Sequence, residues 1–206
     1  MYLSKLVLDP RHPQARRDLA NAYEMHRSLC RVFAPSPEAK PVRFLWRLES
    51  GRAGLSQDGA VVLVQSATQG NWESLAQQPG YAHAVYPPVE CRRLLADRCS
   101  YVFRLFCNPT VTRDGKRFGL VREAEQLAWL ERQGRAHGFE IHRVEVSRSE
   151  RIAFRQGCGG NKITLQIVQF EGILRATDLE KLGLAWCKGI GHAKALGLGM
   201  LSLAPT

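Results

Sequence analysis

What most limits the fold is the order in which short strand-forming runs and helical patterns follow one another. Tyr2, Leu3, Leu6, Val7 and Leu8 predict a strand over residues 2–8. After a loop containing Pro10 and Pro13, apolar residues recur at helical spacing from about 18 to 33. Residues 42–49 and 60–66 read as two strands, joined through the turn chemistry of residues 50–54 and Asp58-Gly59. The stretch 67–98 is ambiguous: a short helix near Trp72, a strand over 81–86, and a break at Pro87-Pro88. The pattern then repeats. Tyr101, Phe103 and Leu105 alternate against Val102, Arg104 and Phe106 in a strand, and Asp114-Gly115 signals a tight turn between basic residues. The clearest helix runs over about 122–137, with Ala124, Leu127, Ala128 and Leu130 at helical spacing and Gly138 as its stop. Strands over 139–146, 151–156 and 163–174, a helix over 178–187 and a strand over 200–204 complete the chain. This order predicts an α+β fold of two tandem ferredoxin-like (RRM-like) domains, each an antiparallel sheet with helices on one face. Their expected bounds are 1–90 and 98–206.

Charge narrows the partner. Twenty-nine Lys and Arg against 19 Asp and Glu leave +10 on 206 residues, which suits a polyanion such as nucleic acid. The excess lies in two blocks: nine basic against five acidic residues over 1–50, and twelve against seven over 104–162. The neutral stretch 51–103 holds four of each. The six cysteines (Cys30, Cys91, Cys99, Cys107, Cys158, Cys187) form no C-x-x-C pair, so neither a zinc site nor a redox motif is expected. No metal and no cofactor are expected. No run of eighteen apolar residues and no signal peptide is visible, so the expectation is a cytoplasmic protein with no membrane association.

Two segments carry chemistry. In Tyr23-Glu24-Met25-His26-Arg27, helical spacing turns Tyr23 and His26 the same way, with Arg27 four residues from Tyr23. RNA brings its own nucleophile, the 2′-hydroxyl beside each phosphate. A histidine titrating near neutral pH, a tyrosine donor and an arginine for phosphate oxygens are therefore enough to cut it. On a helical wheel, however, His26 falls among Leu19, Ala22, Leu29, Cys30 and Phe33, where a histidine is more often a core residue than a catalyst. These residues alone leave both readings open. The second segment, Gly189-Ile190-Gly191-His192-Ala193-Lys194-Ala195-Leu196-Gly197-Leu198-Gly199, has the spacing G-x-G-x5-G-x-G. It is neither a Walker A loop nor a dinucleotide fingerprint. It is either a phosphate-approaching loop or a tight structural turn.

That glycine spacing resembles the signature of the repeat-associated RNA-binding superfamily of CRISPR proteins. Within it, Met1-Tyr2-Leu3-Ser4-Lys5, Tyr23-Glu24-Met25-His26-Arg27, Glu125-Gln126-Leu127-Ala128-Trp129-Leu130, Phe170-Glu171-Gly172 and Gly199-Met200-Leu201-Ser202-Leu203-Ala204-Pro205 resemble the type I-E repeat-processing endoribonucleases, over the whole chain. The resemblance implies a metal-independent endoribonuclease that binds the stem-loop of CRISPR repeat RNA and cuts at the 3′ base of the stem. Its ends would be a 5′-hydroxyl and a 2′,3′-cyclic phosphate, and it would stay with the mature guide RNA beside other Cascade subunits. It places catalysis on His26 and Tyr23. RNA binding would fall to Arg27, Arg104, Arg113, Lys116, Arg117, Arg122 and Lys194, with the glycine-rich loop at Gly189, Gly191, Gly197 and Gly199. A basic helper near the scissile phosphate falls close to Arg155 or Lys162, and His192 stands where the family usually has proline. Arg11, Arg16, Arg17, Arg92 and Arg93 read as solvated charges, and Trp129 as core. The rival readings are a non-catalytic RNA-binding subunit of the same superfamily and an unrelated basic module with His26 in its core.

Overall fold

The computed structural model describes residues 1–206 except 35, 37, 50–54, 57–58, 77, 91–94, 96–98 and 156–161. The expected turn over 50–54 and Asp58, the pair Arg92 and Arg93, and the end of the strand expected over 151–156 lie outside the described residues. The chain divides into two compact units. One holds Met1–Cys91 with Ala195–Gly197, and the other Arg92–Lys194 with Leu198–Thr206.

The first unit is β1 (Tyr2–Leu8), α1 (Pro13–Ala20), α2 (Ala22–Phe33), β2 (Phe44–Leu48), β3 (Leu55–Ser56), β4 (Gly59–Ser66), α3 (Glu73–Ala76) and β5 (Ala82–Glu90). Its antiparallel sheet has the order β2-β4-β1-β5, with β3 on β4. Alternate strand residues Leu6, Leu8, Phe44, Trp46, Val62 and Val64 form one buried face, against which α2 packs Met25, Leu29, Val32 and Phe33. The single helix expected over 18–33 is two. Asn21 is extended (φ −139°, ψ 110°) and its side chain accepts from the Tyr23 backbone N–H, capping α2. Pro87-Pro88 does not end β5. β5 is the edge strand, where a missing N–H is tolerated, and the ladder with β1 slips in register between Leu3/Val89 and Lys5/Tyr86, which absorbs the prolines.

The second unit is β6 (Ser100–Cys107), β7 (Thr110–Arg113), β8 (Lys116–Gly119), α4 (Glu123–His137), β9 (Phe139–Arg155), β10 (Lys162–Ala176), α5 (Leu179–Lys188), a 3-10 turn (Lys194–Leu196) and β11 (Leu201–Pro205). Its sheet order is β11-β6-β10-β9, and β7-β8 is a separate hairpin. Asp114 and Gly115 both have positive φ, 49° and 71°, the two-residue turn that joins strands with matching twist. The strands expected over 139–146 and 151–156 are one strand, β9, which keeps pairing with β10 through two register shifts. Tyr101, Phe103, Leu105 and Trp129 are buried as their spacing predicts. The apolar stripe of α4 is a partial correction: Ala124 and Ala128 are exposed, whereas Gln126 is fully buried. Its amide satisfies the Leu120 and Val121 carbonyls and the Ser149 hydroxyl. The order strand–helix–strand–strand–helix–strand thus occurs twice, with the first strand central each time, as in ferredoxin-like folds. Among the described residues no helix is long and apolar enough to cross a membrane.

Candidate catalytic and RNA-binding sites

In the first unit a buried carboxylate ties the middle of α2 to α1 and to Tyr81. Asp18 of α1 is 1% exposed. It accepts from the Ser28 hydroxyl of α2 at 2.5 Å and from the Tyr81 hydroxyl at 2.9 Å, and Arg17 bridges its other oxygen at 3.2 Å. Burial beside this carboxylate pushes the Tyr81 phenol well above its ordinary pKa. Tethered in this way, α2 presents Tyr23, His26 and Arg27 on its first two turns. Arg27 is exposed and pairs with Glu24 at 3.1 Å, and Arg17 reaches the same Glu24 at 3.6 Å.

His26 lies at the margin of the core. Met25 and Leu29 beside it are 1% and 0% exposed, but His26 is only half-buried. Its ring stacks on Phe44 with centroids 5.1 Å apart and planes 29° from parallel. Nε2 lies 3.6 Å from Cys30 Sγ, one helical turn on. Nδ1 is buried with no hydrogen-bond partner among the described residues. Desolvation lowers the His26 pKa, so the ring is neutral at neutral pH and can accept a proton. Next to it, Arg27, Cys30 and Arg31 of α2 face Asn71, Ser74 and Gln78 across a cleft of about 860 Å³. The helical wheel already set Cys30 beside His26, four residues on along the same helix. Sequence reading missed Arg31 and Phe44, because no local spacing brings either to the ring.

In the second unit Arg113, Lys116 and Arg117 are exposed on the β7-β8 hairpin. The register sets Arg113 directly opposite Lys116, a like-charge pair that weakens a hairpin unless an anion lies against it. Arg122, three residues beyond the hairpin, is the exposed N-cap of α4 in extended geometry. Arg104 is tied to Glu171 across β6 and β10, and Gln169 donates to the same carboxylate at 2.9 Å. Gly172, next in the Phe-Glu-Gly landmark, admits no side chain: a Cβ there would fall 2.0 Å from the Arg143 carbonyl oxygen. Arg155 and Lys162 are paired residues at the ends of β9 and β10, so the two candidates for the basic helper stand side by side. The Gly157–Gly160 loop between them lies outside the described residues.

All four glycines of the signature have positive φ, from 72° to 84°. At Gly199 the need is also spatial, because a Cβ would meet the Ile190 carbonyl oxygen at 2.6 Å. The Ile190 N–H donates to the Gly199 carbonyl, closing the loop on itself, and Lys194 Nζ donates to the Gly191 carbonyl at 2.5 Å. Burial, then the positive charges of Arg117 and Lys194, lower the His192 pKa. Hairpin and glycine-rich loop therefore share one cationic neighbourhood. Among the described residues no three His, Cys, Asp or Glu side chains are grouped to hold a metal ion.

The chain thus holds two ferredoxin-like sheets, one packed against the helix that carries His26 and the other accompanied by a basic hairpin. The family model described as "CRISPR associated protein" matches residues 1–205, and the chain belongs to that family. It is 40% identical, over the full length of both chains, to a Thermus thermophilus protein named CRISPR-associated endoribonuclease Cse3. It is 33% identical, again over both full lengths, to the Escherichia coli K12 protein named CRISPR system Cascade subunit CasE. Its fold matches Thermus thermophilus Cse3 bound to an RNA representing a pre-cleavage complex, with a TM-score of 0.88 and 40% identity over 99% of this chain and 98% of the other.

Proposed function

We propose that this chain is a metal-independent endoribonuclease that binds the stem-loop of CRISPR repeat RNA and cuts at the 3′ base of the stem. Residues 1–90 form the domain that carries the Tyr23–His26 pair, and residues 98–206 the domain that carries the basic hairpin and glycine-rich loop. The observation that carries the reading is the state of His26: half-buried, stacked on Phe44 and held neutral by desolvation, one turn from Tyr23 on a helix fixed by Asp18. The full-length likeness to relatives named as an endoribonuclease and as a Cascade subunit supports it.

The chemistry is a transesterification. The 2′-oxygen attacks the adjacent phosphorus, and the bond to the 5′-oxygen of the next nucleotide breaks. A 2′,3′-cyclic phosphate and a 5′-hydroxyl remain. One proton leaves the 2′-hydroxyl and one reaches the departing oxygen. The neutral His26 imidazole is suited to take the first, and the Tyr23 hydroxyl to donate at the second. Arg27, with Arg155 or Lys162, supplies positive charge for the phosphate oxygens. Arg104, Arg113, Lys116, Arg117, Arg122 and Lys194 hold the stem, and the enzyme stays with its cytoplasmic product, the mature guide RNA, among other Cascade subunits.

Incubation of the protein with repeat RNA in excess EDTA tests this reading against a non-catalytic RNA-binding subunit. A single cut leaving a cyclic phosphate is expected; binding without any cut would establish the rival.

A further inference from the structure

The Cys30 thiol is the polar group that meets the His26 ring. Four residues on from His26 along α2, its Sγ lies 3.6 Å from Nε2, while Phe44 covers a ring face. The other nitrogen, Nδ1, is buried with no hydrogen-bond partner among the described residues, so an incoming RNA oxygen cannot reach it. Nε2 is therefore the nitrogen that works, and it works as a base only if its lone pair is free of a proton. Cys30 also lines the cleft beside Arg27 and Arg31, which puts the thiol on a side of α2 open to solvent and substrate.

We infer that Cys30 is a positioning residue for His26: its S–H donates to Nε2, holds the neutral ring in the tautomer with the proton on Nδ1, and yields to the RNA 2′-hydroxyl. The inference rests on the reading of His26 as the catalytic base. A thiol suits the role because it is a weak donor, strong enough to bias a tautomer and weak enough to be displaced by a hydroxyl. Burial pushes the Cys30 thiol up, so it keeps the proton it has to donate. No charged neighbour on the described elements competes for the ring. On α2, Glu24 pairs with Arg27 and with Arg17 of α1, and Tyr23 is the remaining titratable side chain on that turn. From β2 the group that meets the ring is Phe44, with Arg43 before it in the chain.

The test compares Cys30→Ala, Cys30→Ser and His26→Ala with the parent in single-turnover cleavage of repeat RNA across pH, together with RNA binding and histidine-selective ¹⁵N spectra. The His26→Ala spectrum identifies the His26 signals. Expected for Cys30→Ala is a roughly tenfold slower cut with unchanged RNA affinity, since a positioned base contributes ~10²–10⁴-fold and only its orientation is impaired. Loss of the thiol donor and better hydration of the ring both raise the His26 pKa. The pH–rate limb that reports it should therefore move to higher pH. Cys30→Ser, which keeps a hydroxyl donor, should recover part of the rate. In the parent, His26 should show the Nδ1–H tautomer. A Cys30→Ala protein that cuts at the parent rate with the parent pH profile, or a parent His26 in the Nε2–H tautomer, overturns the inference. If His26→Ala itself cuts like the parent, the failure lies with the catalytic reading and not with Cys30.

Discussion

Replacing the three hairpin cations together, as Arg113→Gln, Lys116→Gln and Arg117→Gln, tests how the second unit holds RNA. All three side chains are exposed, and Arg113 faces Lys116 across the two-stranded ladder. Nothing in that geometry stabilises the free protein, so folding stability should hold or rise slightly when the repulsion is removed. If each cation displaces one counterion from a phosphate, the slope of log K against log salt should flatten by about 0.9 per contact, or about 2.7 for three. Between 50 and 200 mM salt the parent should therefore lose roughly 40-fold more affinity than the variant, and at 0.15 M the variant should bind about 10²-fold more weakly. The assay is equilibrium binding to a repeat stem-loop carrying a 2′-deoxy nucleotide 5′ of the cut, so that no cleavage intervenes, over a salt series. An unchanged slope with an affinity within twofold of the parent refutes the reasoning and makes the hairpin a solvated face.

His26→Ala should lose ~10²–10⁴-fold in single-turnover cleavage while keeping RNA affinity and melting temperature. A core histidine would instead cost roughly 1–3 kcal/mol of stability, and cooling would restore its activity. The 2′-deoxy substrate itself should bind normally and resist cutting; efficient cleavage would show that water is the nucleophile. Tyr81→Phe should destabilise the first unit by about 1–2 kcal/mol at neutral pH through loss of its bond to Asp18. The folded Tyr81 phenol titrates above its unfolded value. Its contribution is therefore complete below about pH 10 and is lost as pH rises further. Thermal melts of parent and variant should converge above that pH, and a constant gap would contradict the linkage.

Much of the fold was legible because the apolar alternation was local. Tyr101, Phe103 and Leu105 could be assigned to one face from sequence spacing, and all three are buried in β6. Asp114-Gly115 announced its turn through residue chemistry, and both residues have the positive φ that such a turn needs. Errors arose where a local cap interrupted a helical pattern or where a neighbouring element overrode the local signal. Asn21 reads as one more residue of a long helix until its capping role for Tyr23 is seen. Pro87-Pro88 breaks a strand in isolation but is accommodated at a sheet edge. The apolar spacing of α4 gave no place to Gln126, yet it is buried, where acceptors from the segment after the hairpin and from β9 converge on it.

The candidate site was legible as a set of residue types and not as an arrangement. A helical wheel placed His26 on the apolar stripe, and that placement is half right: one ring face lies on Phe44 and Nδ1 is buried. A wheel cannot show that the stripe ends at His26, because that depends on where β2 passes α2. It also cannot show that Asp18, Ser28 and Tyr81 lock the helix from the opposite side. On the proposed catalytic reading, these two facts together are what suit a histidine with a hydrophobic address to its task. The apolar side holds the ring neutral, the buried carboxylate keeps the helix from shifting, and the half-exposed edge leaves Nε2 with only a thiol to displace. A histidine fully inside the core would have the first two properties without the third, and one fully on the surface would have neither of them.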